Sequence, residues 1–442
     1  MRLSMRLIVV TLLGILVASH GAGAVTIEYM AWGSNTTLEA HQREAAAFAA
    51  KYPDSGIVIE PLISEWNEYQ SKMFVQAAAG VLPDIVMVPA GFWPEMAERG
   101  YFLDLEPFIE RDPDFDPTQL PRGVTEIMRV NNRLYTLPTG GFTPTGAMVA
   151  INRDHVEAAG LPDPDIDWTW DEYLQYAIRL TRRDGDRVVT YGTAIGKSTW
   201  EGAWAMHIAA NGGHLVEPQG EYIIWPVSDP SRLRVNTPVV EQAFQFLKDL
   251  VDVYDVSLPA GSDPTQAFTS GLLAMHNAWS GTPRNYLEQG TPRVIVATTP
   301  TGAGGHHGVW AHIGLPHAYA ISAQTNDPEA AWKVLKFLVS EEEALLARRT
   351  QGLGTVAYRP LVQVYERMAP PEWEPWLAVG YHYLNHMPSE GNELWKTISN
   401  RAYDALMEEV RKAYNDEQSV RAAVEAAHER IAVIMQEESQ QR

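Results

Sequence analysis

A chain of 442 residues with 34 basic and 55 acidic side chains carries a net charge of −21, which repels nucleic acid and anionic lipid and disfavours multiply charged anions. It has no cysteine, so disulfides are excluded and stability must come from core burial, for which two lobes of ordinary domain size are long enough. Fourteen Trp and 18 Tyr outweigh 11 Phe, a bias toward rings with an apolar face and a polar edge.

The chain opens with Arg2 and Arg6, an apolar run from Leu7 to Val17 and the small residues Ala22-Gly23-Ala24. That order is a secretory leader, with cleavage expected after Ala24, and the apolar run is too short to span a bilayer. Residues 1–24 are therefore set apart from the fold. Val25 to Ala31 then reads as a strand, Thr37 to Ala50 as a helix, Gly56 to Leu62 as a strand and Glu68 to Ala79 as a helix ended by Gly80. Asp84 to Val88, Gly146 to Asn152, Leu272 to Ala278, Arg293 to Thr298 and Ala318 to Ser322 are further strands. Trp170 to Arg182 is a helix with a Thr169/Asp171 start signal, and Thr237 to Tyr254, Asp327 to Ser340 and most of Glu393 to Glu437 are helical. Short apolar strands alternating with helices predict an α/β fold with a parallel sheet covered on both faces. No long Ser/Gly/Pro tract divides the chain, so segments crossing between lobes are expected instead of a tether.

Several stretches, in order, resemble the extracellular solute-binding proteins of bacterial sugar ABC importers, the class that includes maltose-binding protein. They are Tyr69 to Met73, Ala77 to Gly80, Pro83 to Val86, Ala97 to Leu105, Leu134 to Pro138, Ala147 to Asn152, Gly160-Leu161, Trp168 to Leu174, Gln266 to Phe268, Gly271 to Met275 and Glu329 to Trp332. The resemblance implies a two-lobed periplasmic binding protein fold of type II, with a ligand cleft between lobes joined by crossing hinge strands. Mapped by order, residues 25–139 plus 298–342 form the first lobe and 140–297 plus 343–442 the second. It also implies a monomer, free in the periplasm, that closes on a sugar-like solute and delivers it to the transmembrane subunits of an ABC permease. No cofactor, metal or catalysis is implied.

Ligands of open α/β sheets bind beyond the carboxyl ends of the strands, and loops there supply the candidates. Trp32, Ser34 and Asn35 follow the first strand, Gly91 and Phe92 the third, and Gly141 stands where the chain is set to cross. Trp200, Glu201 and Trp204 follow the strand-like Val188 to Ile195, and spacing by four puts both indoles on one helix face. Trp279 and Ser280 end the Leu272 strand. Trp310, His312 and Gly314 lie in a Gly-rich loop, and Arg359 follows Gly352-Leu353-Gly354.

Two other classes compete. A hydrolase needs opposed carboxylates or an activated nucleophile; acids abound, but neither G-x-S-x-G nor H-E-x-x-H occurs. Metal capture could use His306, His307, His312 and His317, or His382 and His386 at helical spacing. Polyamines, polyols and glycerol phosphates are the non-sugar alternatives within the binding class.

Overall fold

The computed structural model describes residues 24–88, 93–120, 125, 128–130, 132–138, 148–217, 229–278, 281–290, 292–303, 305, 318–348, 356–385 and 398–441. The expected leader, apart from Ala24, lies outside the described residues.

Eight strands build two sheets: β1 (Val25–Trp32), β2 (Ile57–Ser64), β3 (Ile85–Val88), β4 (Thr136–Pro138), β5 (Met148–Asn152), β6 (Met275–Ala278), β7 (Val294–Thr298) and β8 (Ala318–Ile321). The first sheet has the order β2-β1-β3-β8-β4. Strand β1 runs parallel to β2 and β3, and β8 is antiparallel to β3 and β4. In the second sheet β5 lies antiparallel between β6 and β7. Parallel bridges extend it, Tyr191 to Leu273 and Thr193 to Ser257. Its order is therefore 256–258, 191–193, β6, β5, β7, the same order and directions as the first. In each sheet the antiparallel strand comes from a segment adjoining a passage between lobes. Strand β5 is buried at all five residues, as a continuous apolar run between helical layers requires.

Thirteen helices bear on the lobes and the site: α1 (Asn35–Lys51), α2 (Trp66–Ala79), α3 (Trp170–Leu180), α4 (Glu201–Ala210), α5 (Pro238–Asp252), α6 (Pro264–Thr269), α7 (Gly281–Gln289), α8 (Pro328–Ser340), α9 (Glu342–Arg348), α10 (Arg359–Met368), α11 (Glu374–Asn385), α12 (Asn400–Tyr414) and α13 (Val420–Gln441). Helix α3 starts where its signal stands: the Thr169 N–H donates to Glu172 Oε2 at 2.7 Å, and the Glu172 N–H donates back to Thr169 Oγ1 at 3.2 Å. Its Tyr173, Ala177 and Leu180, three and four apart, are the buried face.

Two expected lobe boundaries shift. Helix α9 packs on α1 of the first lobe, with Arg43 Nε donating to the Ala347 carbonyl at 3.1 Å and Arg348 paired with Glu44. The first lobe thus runs to 348, not 342. Residues 298–305 stay with the second lobe: Thr298 pairs with Met148, and the Thr301 and Gly302 N–H groups donate to Trp168 and Ala210 carbonyls. The segment 356–385, expected in the second lobe, bridges both. Tyr358 stacks on Phe115 of the first lobe, centroids 5.7 Å apart, while Tyr383 accepts a hydrogen bond from the Thr299 N–H of the second at 3.0 Å.

The first core encloses a polar chain. His41 Nδ1 lies 2.5 Å from Glu44 Oε2, Glu44 pairs with Arg348, and Arg348 donates to the Tyr319 hydroxyl at 3.1 Å. His41, Glu44 and Arg348 are all buried, so each charge depends on its partners.

Candidate solute site

Two neighbourhoods lie beyond the carboxyl ends of strands, one in each lobe. In the first, β1 ends at Trp32 and turns at Gly33. The Gly33 φ of 149° and the contact its Cβ would make with Thr37 Oγ1, at 2.2 Å, both require glycine. Ser34 caps α1 and Asn35 begins it, and both are exposed. The Trp32 ring meets Trp66 edge to face at 5.1 Å and Tyr69 at 5.3 Å. Tyr69 is buried and donates to the Met87 carbonyl at 2.6 Å, which anchors the cluster across the sheet. Trp66, the first residue of α2, is 41% exposed and offers the open ring.

In the second lobe a cavity of about 430 Å³ opens where 191–193, 256–258 and β6 end. Its walls come from 194–200, 258–262, Pro264, Thr265 and the last residues of β6, with Thr282 at the start of α7. Trp200 lines it and is held from below. A Cβ at Gly202 would come within 2.2 Å of the indole, so the ring lies directly on the first turn of α4. Lys197 also lines the cavity, but its ammonium pairs with Asp252 at 2.6 Å. Burial pushes the Asp252 carboxyl up, yet hydrogen bonds from Lys197 and Lys248 hold it below its ordinary value, so the carboxylate stays ionised. No carboxylate lines the cavity among the described residues.

His276 and Asn277, adjacent on β6, complete the wall. His276 is wedged between Phe268 and Tyr286, with ring centroids at 6.0 Å from each, and its Nδ1 meets the Tyr286 hydroxyl at 2.9 Å. Burial lowers the imidazole to about 4, so the ring is neutral. The Asn277 side-chain oxygen accepts from the Tyr173 hydroxyl at 2.8 Å, and that hydroxyl also meets Thr193 Oγ1 at 2.5 Å.

Of the residues singled out by sequence, Trp32, Ser34 and Asn35 share the first edge and Trp200 lines the second. Trp204 is corrected: it is fully buried between Phe244 and Tyr403, at 5.8 and 5.9 Å, because its face of α4 packs against α5 and α12. Arg359 is exposed at the start of α10 and lines no part of the cavity. Glu201 begins α4, and its side chain lies outside the description, as do Gly91, Phe92, Gly141, Trp279, Ser280, Trp310, His312 and Gly314. Sequence reasoning missed Trp66, His276 and Asn277. Trp66 carried the signal used for Trp32, an indole just past a strand, and His276-Asn277 is a polar pair ending an apolar strand.

Two α/β lobes with a solute-sized cavity at a carboxyl edge define a binding protein of the two-lobed type. The chain belongs to the bacterial extracellular solute-binding proteins, whose family profile matches residues 32–345. A substrate-binding protein of Listeria monocytogenes, in complex with cycloalternan, superposes with a TM-score of 0.70 at 21% identity, covering 93% of this chain and 98% of that one. The sugar-binding protein MalE of Xanthomonas citri superposes with a TM-score of 0.73 at 17% identity, covering 94% and 98%. An uncharacterized lipoprotein from the oleD 5′ region of Streptomyces antibioticus is 23% identical over 183 residues, 40% of this chain and 39% of that protein. The chain thus spans about two-fifths of that curated relative. No helix among the described residues is long and apolar enough to cross a membrane.

Proposed function

We propose that the chain is the periplasmic binding component of an ABC importer and that it captures a neutral sugar or short oligosaccharide by hinge closure. The observation that carries this reading is the pairing of surfaces at the two carboxyl edges. The first lobe offers the Trp32–Trp66 rings, and the second offers a cavity bounded by Trp200, the neutral His276 and the amide of Asn277. Indole faces suit the C–H face of a pyranose, and neutral polar groups suit its hydroxyls. The sole lysine among the described lining residues is already paired, so this wall adds no net charge for an anion. The sugar-binding Xanthomonas protein and the cycloalternan complex of the Listeria protein support the same class of solute.

In this reading the leader directs export and cleavage after Ala24, and the closed monomer presents both lobes to the permease. Purified mature protein is screened by thermal shift and calorimetry against maltose, tagatose, cycloalternan, glycerol 3-phosphate and spermidine. A rise in Tm with a neutral sugar is expected, since ligand stabilises the state that binds it. Stabilisation by spermidine or glycerol 3-phosphate alone sinks the sugar assignment, and turnover of any sugar sinks the binding-only reading.

A further inference from the structure

The loop that leads into α4 holds its lysine in a costly backbone conformation. Lys197, on the cavity wall, has a φ of 50°, in the left-handed region that glycine occupies more readily. Its surroundings fix it there. The Lys197 N–H donates to the Leu247 carbonyl at 2.9 Å, and the Gly196 N–H donates to Ser257 Oγ at 2.9 Å. A Cβ on Gly196 would come within 2.6 Å of Val251 Cγ2, so the loop lies tight against α5. A long side chain at such a position has a partner to match: the ammonium pairs with Asp252 at 2.6 Å. Asp252 is the last residue of α5, the end at which the helix dipole disfavours a carboxylate. Two ammonium groups offset that, Lys197 and Lys248, and Lys248 also pairs with Asp416 at 2.5 Å. The charges of the four residues alternate and cancel. Lys197 alone of the four lines the cavity, so the neutrality of the wall depends on a carboxylate that is not part of it.

We propose that Asp252 sets the charge selectivity of the cavity: by holding the Lys197 ammonium it keeps the wall neutral, so that neutral solutes are accepted and anions are not. The inference rests on the cavity being the solute site and names the residue that keeps that site uncharged. Asp252 is a positioning residue, acting through Lys197. Without its carboxylate the ammonium remains tethered to the wall by a four-carbon stem, whichever way it turns. That reach is shorter than the screening length of about 8 Å in physiological salt, so an anion in the cavity feels the charge. A neutral sugar gains nothing comparable from it.

The probe is inorganic sulfate, titrated by calorimetry at constant ionic strength into the mature protein and its variants, each checked for folding by circular dichroism. The fold should tolerate Asp252→Asn, because Lys248 retains Asp416 and the Lys197 side chain already reaches water at 20% exposure. Asp252→Ser makes the same comparison if the Asn variant does not fold. Asp252→Asn is expected to bind sulfate about tenfold more tightly than the wild type. Asp252→Glu, which keeps the charge on a longer stem, is expected to match the wild type, and Lys197→Gln/Asp252→Asn to lose the gain. Equal sulfate affinity in the wild type and Asp252→Asn, an equal gain in Asp252→Glu, or a gain that survives in the double variant overturns the assignment. The solute identified by the thermal-shift screen is then added to sulfate-loaded Asp252→Asn, and displacement of sulfate is expected. A solute that binds without displacing it sinks the reading of this cavity as the solute site and leaves the charge assignment standing.

Discussion

Trp32 and Trp66 meet edge to face, ring centroids 5.1 Å apart, where β1 and β2 end side by side. Trp32 is the half-buried partner and Trp66 the exposed one. Removing Trp66 should therefore cost binding more than stability. We expect Trp66→Ala to weaken binding of the solute identified by the thermal-shift screen by about 2 kcal/mol, a loss typical of a large aromatic anchor, with Tm changed by only a few degrees. Unchanged affinity in calorimetry would remove Trp66 from the site.

The Glu44–Arg348 pair makes a stability prediction. Both side chains are buried, so replacing one strands the charge of the other. Arg348→Leu should destabilise the protein by about 3–5 kcal/mol. The double variant Glu44→Gln/Arg348→Leu should recover part of that loss, because no charge is then left alone. Calorimetric unfolding of the two variants beside the wild type checks the order, and an Arg348→Leu protein as stable as the wild type contradicts it.

His207 and His276 give stability a pH dependence. Burial lowers each to about 4, against 6.5 for a free imidazole. The unfolded chain therefore takes up protons at a pH where the folded chain does not, and ΔG of unfolding rises with pH across that window. The contribution is fully present above about pH 6.5 and is lost as pH falls toward about 4, with an upper bound of about 3 kcal/mol per histidine. Urea unfolding at pH 7 and pH 4.5 measures the slope. His207→Leu should flatten part of it, and an undiminished slope in that variant would show that His207 does not carry it.

Gly202 separates two opposed effects. An alanine in a helix is ordinarily favoured over glycine by up to about 1 kcal/mol. Here the new Cβ would meet the Trp200 indole, so the ring must leave its seat. We expect Gly202→Ala to shift tryptophan emission and weaken binding of the solute identified by the thermal-shift screen, with no gain in Tm. A more stable variant of unchanged affinity would mean that the ring moves aside at no cost to the site.

Much of the architecture was legible because its signals are local. The run Met148 to Asn152 reads as a buried strand and is one, and Gly80, with φ of 76°, ends α2 as its position suggests. Helix α1 begins at Asn35, two residues before the expected start, because Ser34 and Thr37 form a cap that apolar periodicity does not register. The strand-like Val188 to Ile195 divides into a hairpin strand ending at Thr190 and an inner segment bridged on its two sides through Tyr191 and Thr193. That division depends on partners far away in sequence. The site was less legible for the same reason. Helical spacing linked Trp200 with Trp204, but the packing of α4 against α5 and α12 turned one ring to the cavity and the other into the core. His276 carries no local signal, because its surroundings are set by Tyr286 and Phe268 from other elements.

The shared strand order has a consequence for biogenesis. The central pairing of the first sheet joins Ile85 to Ile321, so this lobe cannot close until the whole middle of the chain has been made. Emergence from the ribosome, which favours amino-terminal units folding first, meets a half-built sheet that has to wait. Such a polypeptide stays open through most of its synthesis. The order of strands in the first sheet thus also defers the closing of that lobe until Ile321 is available.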